Sequence, residues 1–505
     1  MEKKSLNRAV LVGGHPVLEG AARGYANKGY SLVEFASARE LLERLGSGEG
    51  GDVVLGMKEL FIAEDIRCNA DAVNDSIALL QYFAECPSVE FFRCHMLIQD
   101  RNMFDLFRNG TCSDMYRSKM ELIPFNENSL WGEKVFFGSF DSVGEPVGYL
   151  HGRTVHIVFF GLNDFSHSLA EYASLVCHYP NYVRDHSLRT RITVIDGQMS
   201  QKWRSFVNSR QHLFANSYYR YIDLISKPMS KEFHKPEYEG RREDFVDVEW
   251  EFVNATVSSP VLREKLVLWS SSSAQQLTVM LCDGEQMENV SVMQQLPYQL
   301  KENGIPLYMR VKDKNMAKAL KMGNVIPFGY DSPDYDISVP LVKMAKAVNY
   351  VYNCCSEVPL VEIDWDVAEK DWRRLGMAKR FSCISNAMTI KTKMRSLGLP
   401  EFDWSQFYGI SAREIEIISR VEHNRWCVEE LLLGFRPAND GEQKAIEENI
   451  SLKEKFKEMS VHYDLRSYDD LRPDSSGKDV RDFDRYLSAA IPLIANSLNE
   501  EERNG

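Results

Sequence analysis

At 505 residues the chain exceeds what one hydrophobic core covers, and at roughly 150 residues per domain it implies about three domains. Hydrophobic content of 44% and charged content of 26% are those of an ordinary globular protein. The net charge of −13 argues against nucleic acid or an anionic membrane surface as the main partner.

No stretch reaches the roughly 18 uninterrupted apolar residues of a bilayer span, and Met1 to Ser5 lead into a strand, so a cytoplasmic protein without membrane insertion is expected. Ten cysteines are scattered without CxxC spacing, which predicts reduced thiols and no metal site.

Residues 8–35 open as a strand through Val12, glycines at 13 and 14, a helix, and a strand ending near Glu34. Strands are expected next at 52–55, 91–98 and 122–125, alternating with helices such as 72–84. Such alternation predicts a parallel sheet covered on both faces. His15 stands where a dinucleotide fold has its second glycine, and Glu34 where the ribose carboxylate would be.

The organising stretch is 154–196. An apolar run, Val155 to Phe160, turns at Gly161. A helix-period segment follows, with Phe165, Leu169, Tyr172, Ala173 and Val176 on one face, and a second apolar run is capped by Asp196. This is the opening of a doubly wound sheet, whose ligand sits at the strand's carboxyl end against the helix N-terminus.

The loop reads Gly161-Leu-Asn163-Asp164-Phe-Ser166, so only the first glycine of G-x-G-x-x-G remains. Asn163 adds bulk and Asp164 negative charge where a pyrophosphate would lie, while Asp196 stands where a carboxylate would hold ribose hydroxyls. Alternatively, Gly161 only makes the turn and Asp196 only ends its strand.

Residues 226–244 read as an exposed loop, followed by strands at 246–252, 277–282, 306–311 and 325–327, with a crossover helix at 289–303. Cys282 and Asp283 end a strand where a doubly wound protein places ligand-facing groups, although a buried thiol followed by a turn acid also accounts for them.

After residue 355 the pattern turns helical, with no convincing strand. Ser411-Ala-Arg-Glu414 matches a capping box, and its helix should run to Leu433 and stop at Gly434. The helix carries Glu422-His423-Asn424-Arg425-Trp426, whose i,i+3 spacing sets His423 beside Trp426 and Glu422 beside Arg425. These groups could stack and hydrogen-bond a planar anion, or form a core tryptophan and a solvated salt bridge.

The ordered set Glu422 to Trp426, Gly434-Phe435-Arg436, His462-Tyr463-Asp464-Leu465, Tyr468-Asp469-Asp470-Leu471, Lys478-Asp479 and Ala490-Ile491-Pro492 resembles the RyR domain, the repeat of ryanodine receptors. The upstream half is similar to bacterial proteins that join this domain to an RCK-type, TrkA-N-like, NAD-binding regulator module. His156 to Gly161, His178-Tyr179-Pro180-Asn181, Ile192 to Asp196 and Ile305 to Arg310 carry that likeness.

The strand and helix pattern together with the resemblance gives two tandem Rossmann-like doubly wound modules, a diverged one at 1–150 and an RCK/TrkA-N-like one at 151–355, and an all-helical RyR-type domain at 356–505. The resemblance further implies NAD(H) or another adenine nucleotide as ligand, a homodimer or intrachain pseudo-dimer, and output through a separate membrane transporter or effector, in ion-transport control or antiviral defence.

The expected site residues are then Gly161, Asn163, Asp164, Asp196, Cys282 and Asp283 in the second module, and His423, Asn424, Arg425, Trp426, His462 and Tyr468 in the third. With no P-loop, nucleophile elbow or zinc helix in the sequence, a non-enzymatic nucleotide-sensing regulator is the leading expectation. An NAD(P)-dependent oxidoreductase and a non-binding interaction scaffold are the alternatives.

Overall fold

The computed structural model describes residues 7–48, 51–64, 70–109, 118–140, 144–226, 229–236, 244–320, 323–330, 340–354, 362–399, 410–473 and 477–497. The chain forms two compact units. The first comprises Met1–Trp131, Asp331–Lys346 and Asp364–Phe381, and the second Gly132–Tyr330, Ala347–Ile363 and Ser382–Gly505. Compactness therefore does not divide the chain at 150 and 355: residues 364–381, expected in the third domain, belong with the first sheet, and the later helices belong with the second.

In the first unit β1 (Arg8–Val12), β2 (Ser31–Phe35), β3 (Met57–Ile62), β4 (Phe92–Leu97) and β5 (Met120–Phe125) form a parallel sheet ordered β2-β1-β3-β4-β5. Strand alternation sends Val10, Val12, Leu60 and Ile62 into one core and Ala9, Leu11 and Phe61 into another, so both faces are covered. The strand expected at 52–55 is instead a helical turn, Gly51–Val54, and β3 starts after Gly56, which has φ +77°. A short apolar run does not by itself distinguish strand from helix.

The 364–381 segment is tied in by Trp372, whose buried indole Nε1 donates to Glu121 Oε1 at 2.7 Å. Arg380 donates to the Trp372 carbonyl at 3.0 Å.

The second unit holds β6 (Thr154–Phe160), β7 (Thr190–Asp196), β8 (Tyr218–Asp223), β9 (Ser230–His234), β10 (Val248–Asn254), β11 (Gln275–Leu281), β12 (Leu307–Arg310) and β13 (Val325–Phe328). Their order is β13-β12-β11-β6-β7-β10-β8-β9, parallel except for β9. Without the β8–β9 hairpin at one edge this is the doubly wound dinucleotide order, which reverses between β6 and β11.

The β8–β9 hairpin is the main departure from the sequence-based reading. β9 falls in the expected loop and is exposed and polar along Ser-Lys-Glu, so backbone pairing to β8 places it and apolar alternation does not. Likewise the expected 289–303 helix is two helices, Gln286–Gln295 and Gln299–Glu302, because Pro297 cannot continue the first.

The capping box at Ser411 and Glu414 forms as expected. Its helix runs Ala412–Leu432 and ends before Gly434 at φ +93°. It packs against the Asp164–Val176 helix, which is why that helix is buried on nearly every side and not on one face alone. Two residues each of β14 (Arg436–Pro437) and β15 (Val461–His462) pair in parallel, a short strand contact in a region expected to have none.

Candidate functional site

The strand order brings the expected second-module residues together. β6 and β11 are neighbours, so Gly161 and Cys282-Asp283 leave the same carboxyl edge side by side. Gly161 has φ +87°, and a Cβ there would stand 3.1 Å from the Asp283 Cα. Glycine is required both by conformation and by the close approach of the two chain segments.

Asn163 fills the place of the missing second glycine and works as a cap. Its Oδ1 accepts from the Phe165 and Ser166 amides at 3.0 and 3.2 Å, Ser166 returns the contact to the Asn163 amide, and Nδ2 donates across the crevice to the Cys282 carbonyl at 2.8 Å. The helix amides that would cradle a pyrophosphate are therefore already occupied, and a dinucleotide's diphosphate does not fit this arrangement. Asp164 is exposed in the first helical turn.

Asp196 is held by its own turn. Its Oδ2 accepts from the Leu162 amide and the Lys202 ammonium, both at 2.8 Å, and Oδ1 from the Gln198 amide at 2.7 Å. A carboxylate has about four acceptor positions, so one remains for a hydroxyl.

Cys282 is fully buried, and burial pushes its thiol far above the ordinary range, the opposite of an activated nucleophile. Asp283 is fixed through its backbone: its amide donates to Asn289 Oδ1 at 2.8 Å, and Asn289 Nδ2 bridges the carbonyls of Asp283 and Arg310. Glu288 is pushed upward by its hydrogen bond to Asp283.

Sequence reasoning missed Asn289 and Arg310. The Arg310 guanidinium lies 4.0 Å over the Phe165 ring at the end of β12. Charge at a strand's carboxyl end was the available signal.

The first sheet repeats the theme on a different frame. Gly13 has φ +115°, and a Cβ would run into the Ala63 carbonyl. His15 Nδ1 accepts from the Val17 amide at 3.3 Å, while its Nε2 faces Glu127 Oε1 at 3.7 Å and Gln99 Nε2 at 3.4 Å. Glu34 is exposed.

The helical residues divide into two sets. Arg425 is 1% exposed; its Nε and Nη2 donate to Glu422, its Nη1 to Glu429, and Lys393 also pairs with Glu422. Burial would raise Glu422, but Arg425 and Lys393 hold it down to about 2. Every guanidinium nitrogen is thus taken by a carboxylate, so Arg425 is not the ligand-reading cation expected. The pair is a salt bridge, but a buried one. Asn424 is buried beside it on the same helix.

The other set surrounds Trp426, which is half-buried. Its ring lies 5.6 Å from His423 and meets His462 edge-on at 4.9 Å. His423 Nε2 donates to the Arg466 carbonyl at 2.8 Å, and Nδ1 faces Asp484 at 3.6 Å. Burial opposes its charge, yet Cys427 and Asp484 keep the imidazole well above its ordinary value. Burial and Lys457 push His462 down to about 3. Tyr468 is buried, 5.8 Å from His423, with Arg420 over its ring. Lys393, Glu429, Asp484 and Arg466 lie outside the expected set; i,i+4 spacing to Arg425 on one helix was the available signal for Glu429, and nothing in local spacing marks the other three.

Among the described residues no cluster of three His, Cys, Asp or Glu could hold a metal, and no helix is long and apolar enough to cross a membrane. Neither a family model nor a curated protein matches the chain.

Proposed function

We propose that the chain is a regulator that senses a nucleoside-type metabolite at the β6–β11 crevice and transmits occupancy through the helix that starts there. The observation carrying this reading is the reversal of strand order at Gly161, beside an Asp196 carboxylate with one acceptor position left. A ribose hydroxyl would take that position, and the Asn163 amide would give up its bond to Cys282 to admit the base.

Moving Asn163 moves the cap of the Asp164–Val176 helix, against which the Ala412–Leu432 helix packs. A ligand shifts only an equilibrium whose states it contacts differently, and Asn163 is where the two states differ. In this reading 151–355 is the RCK-like sensor, 356–505 the RyR-like reader, and a separate transporter or effector receives the signal. The buried, unactivated Cys282 favours sensing over chemistry.

The test is calorimetric titration of NAD, NADH, ADP-ribose, AMP, ATP, S-adenosylmethionine and cyclic dinucleotides into wild type, Asn163→Gly and Asp196→Asn. At least one ligand should bind, more tightly to Asn163→Gly, and about tenfold more weakly to Asp196→Asn. Turnover of reduced nicotinamide would replace sensing by oxidoreduction. The self-closure of the crevice by Asn163 favours a second reading, an interaction scaffold; no heat with any ligand in wild type or Asn163→Gly, with a copurifying protein, would establish it.

A further inference from the structure

Four arginines are buried among the described residues: Arg108, Arg380, Arg425 and Arg466. The first three face carboxylates of Asp105, Glu121 and Glu422. Arg466, 5% exposed, has no ion pair among the described residues. Its Nε donates to the Tyr463 carbonyl at 2.9 Å, its guanidinium lies 4.1 Å over the Tyr463 ring, and its Nη2 is buried with no acceptor. A desolvated guanidinium is costly unless an anion compensates it, and its planar fork matches phosphate and carboxylate.

The surroundings narrow the class of anion. In the same turn, Asp464 Oδ2 is neutralised by Lys453 at 2.7 Å, while Asp464 Oδ1 is buried without a donor. An unused donor and an unused acceptor two residues apart suit a ligand carrying both an oxyanion and a hydroxyl. His423 fixes this turn through the Arg466 carbonyl and lies beside the half-buried Trp426 ring, which in turn meets His462 edge-on, so a planar group has a wall to lie against.

We propose that Arg466 seats the phosphate of a small phosphate-ester ligand, with Asp464 taking a hydroxyl of that ligand and Trp426 its planar part. The site shares no residue with the β6–β11 crevice, so either can fail without the other.

The full-length protein is titrated with inorganic phosphate, AMP and adenosine at matched ionic strength, in wild type, Arg466→Met and Arg466→Lys, with folding checked by circular dichroism. AMP should bind wild type at least about tenfold more tightly than Arg466→Met, with Arg466→Lys between them and adenosine weak throughout. The loss of affinity on Arg466→Met should be the same in an Asp196→Asn background, which reads this seat apart from the β6–β11 crevice. Phosphate binding as well as AMP would identify free phosphate as the occupant of the same seat.

If the Arg466 variants fail to fold, the melting temperature of wild type in phosphate or AMP against chloride decides, and it should rise. The proposal is overturned if neither anion binds wild type or raises its melting temperature. Affinity unchanged in folded Arg466→Met, or adenosine binding as tightly as AMP, would also overturn it.

Discussion

The two sheets begin alike and are built differently. Each opens with an apolar strand, a glycine of positive φ and a helix, yet the first, ordered β2-β1-β3-β4-β5, reverses between β1 and β3 with one strand on the far side of β1, and the second reverses between β6 and β11 with four strands, β7, β10, β8 and β9, on the far side of β6. The likeness of their openings is local. In both, the residue two places after the glycine turns its side chain back on the free amides of the next helix, His15 onto Val17 and Asn163 onto Phe165 and Ser166. A side chain that caps its own helix takes the place of a phosphate, so the glycine pattern alone does not report on binding. The sheets differ in what surrounds the turn. Gly13 is wedged against Ala63, whereas the Gly161 crevice is lined by Asp196, Asn163 and the Asp283 backbone.

The most severe test of the division into two units is Arg425→Met. It strands Glu422 and Glu429 in the core and should cost the second unit roughly 3–5 kcal/mol in urea unfolding, leaving the first unit's transition in place. Equal loss in both transitions would dissolve the distinction.

Next, Gly13→Ala should cost the first unit about 3 kcal/mol, from positive φ plus a backbone clash, and Gly161→Ala the second about 1–2 kcal/mol. The reverse ranking would mean the Gly161 crevice is the tighter one.

Acid should separate the units further. Burial leads the causes that lower His156 and His462 from an ordinary 6.5 to about 3, so the folded form resists a proton that the unfolded form accepts. Their contribution is intact above pH 6.5 and is lost as pH falls toward 3, with a slope of up to about 1.4 kcal/mol per pH unit for each. His462→Gln should remove one histidine's share, and an unaltered slope would show that the imidazole protonates freely.

The smallest effect sharpens the capping comparison. Asn163→Ala should cost about 1 kcal/mol, and His15→Ala about half that, because Asn163 accepts from two amides and His15 from one at longer range. Unfolding curves of the two variants measure it.

Much of the frame was legible. The run from Val155 to Phe160, the helix from Ser411 to Gly434 and, apart from 52–55, the alternation of the first 125 residues are local signals of period and capping, and they appear where expected. The β8–β9 hairpin, the turn at Gly51–Val54 and the break at Pro297 were not read correctly. An exposed edge strand has no apolar alternation, four apolar-rich residues fit either helix or strand, and of the three only Pro297 is a signal the sequence carries.

The candidate site was legible by position and not by role. Sequence placed Gly161, Asn163, Asp196 and Cys282 near one another, because strand ends and helix starts are local events. Whether Asp196 faces outward, whether Arg425 is free or bound, and that Arg466 is buried without a carboxylate are set by contacts between residues far apart in the chain. Charge compensation is such a contact. The sequence by itself determined which elements form and where they turn; the tertiary structure alone decided which charges neutralise one another and which are left waiting, because that depends on what folding brings within a few ångströms.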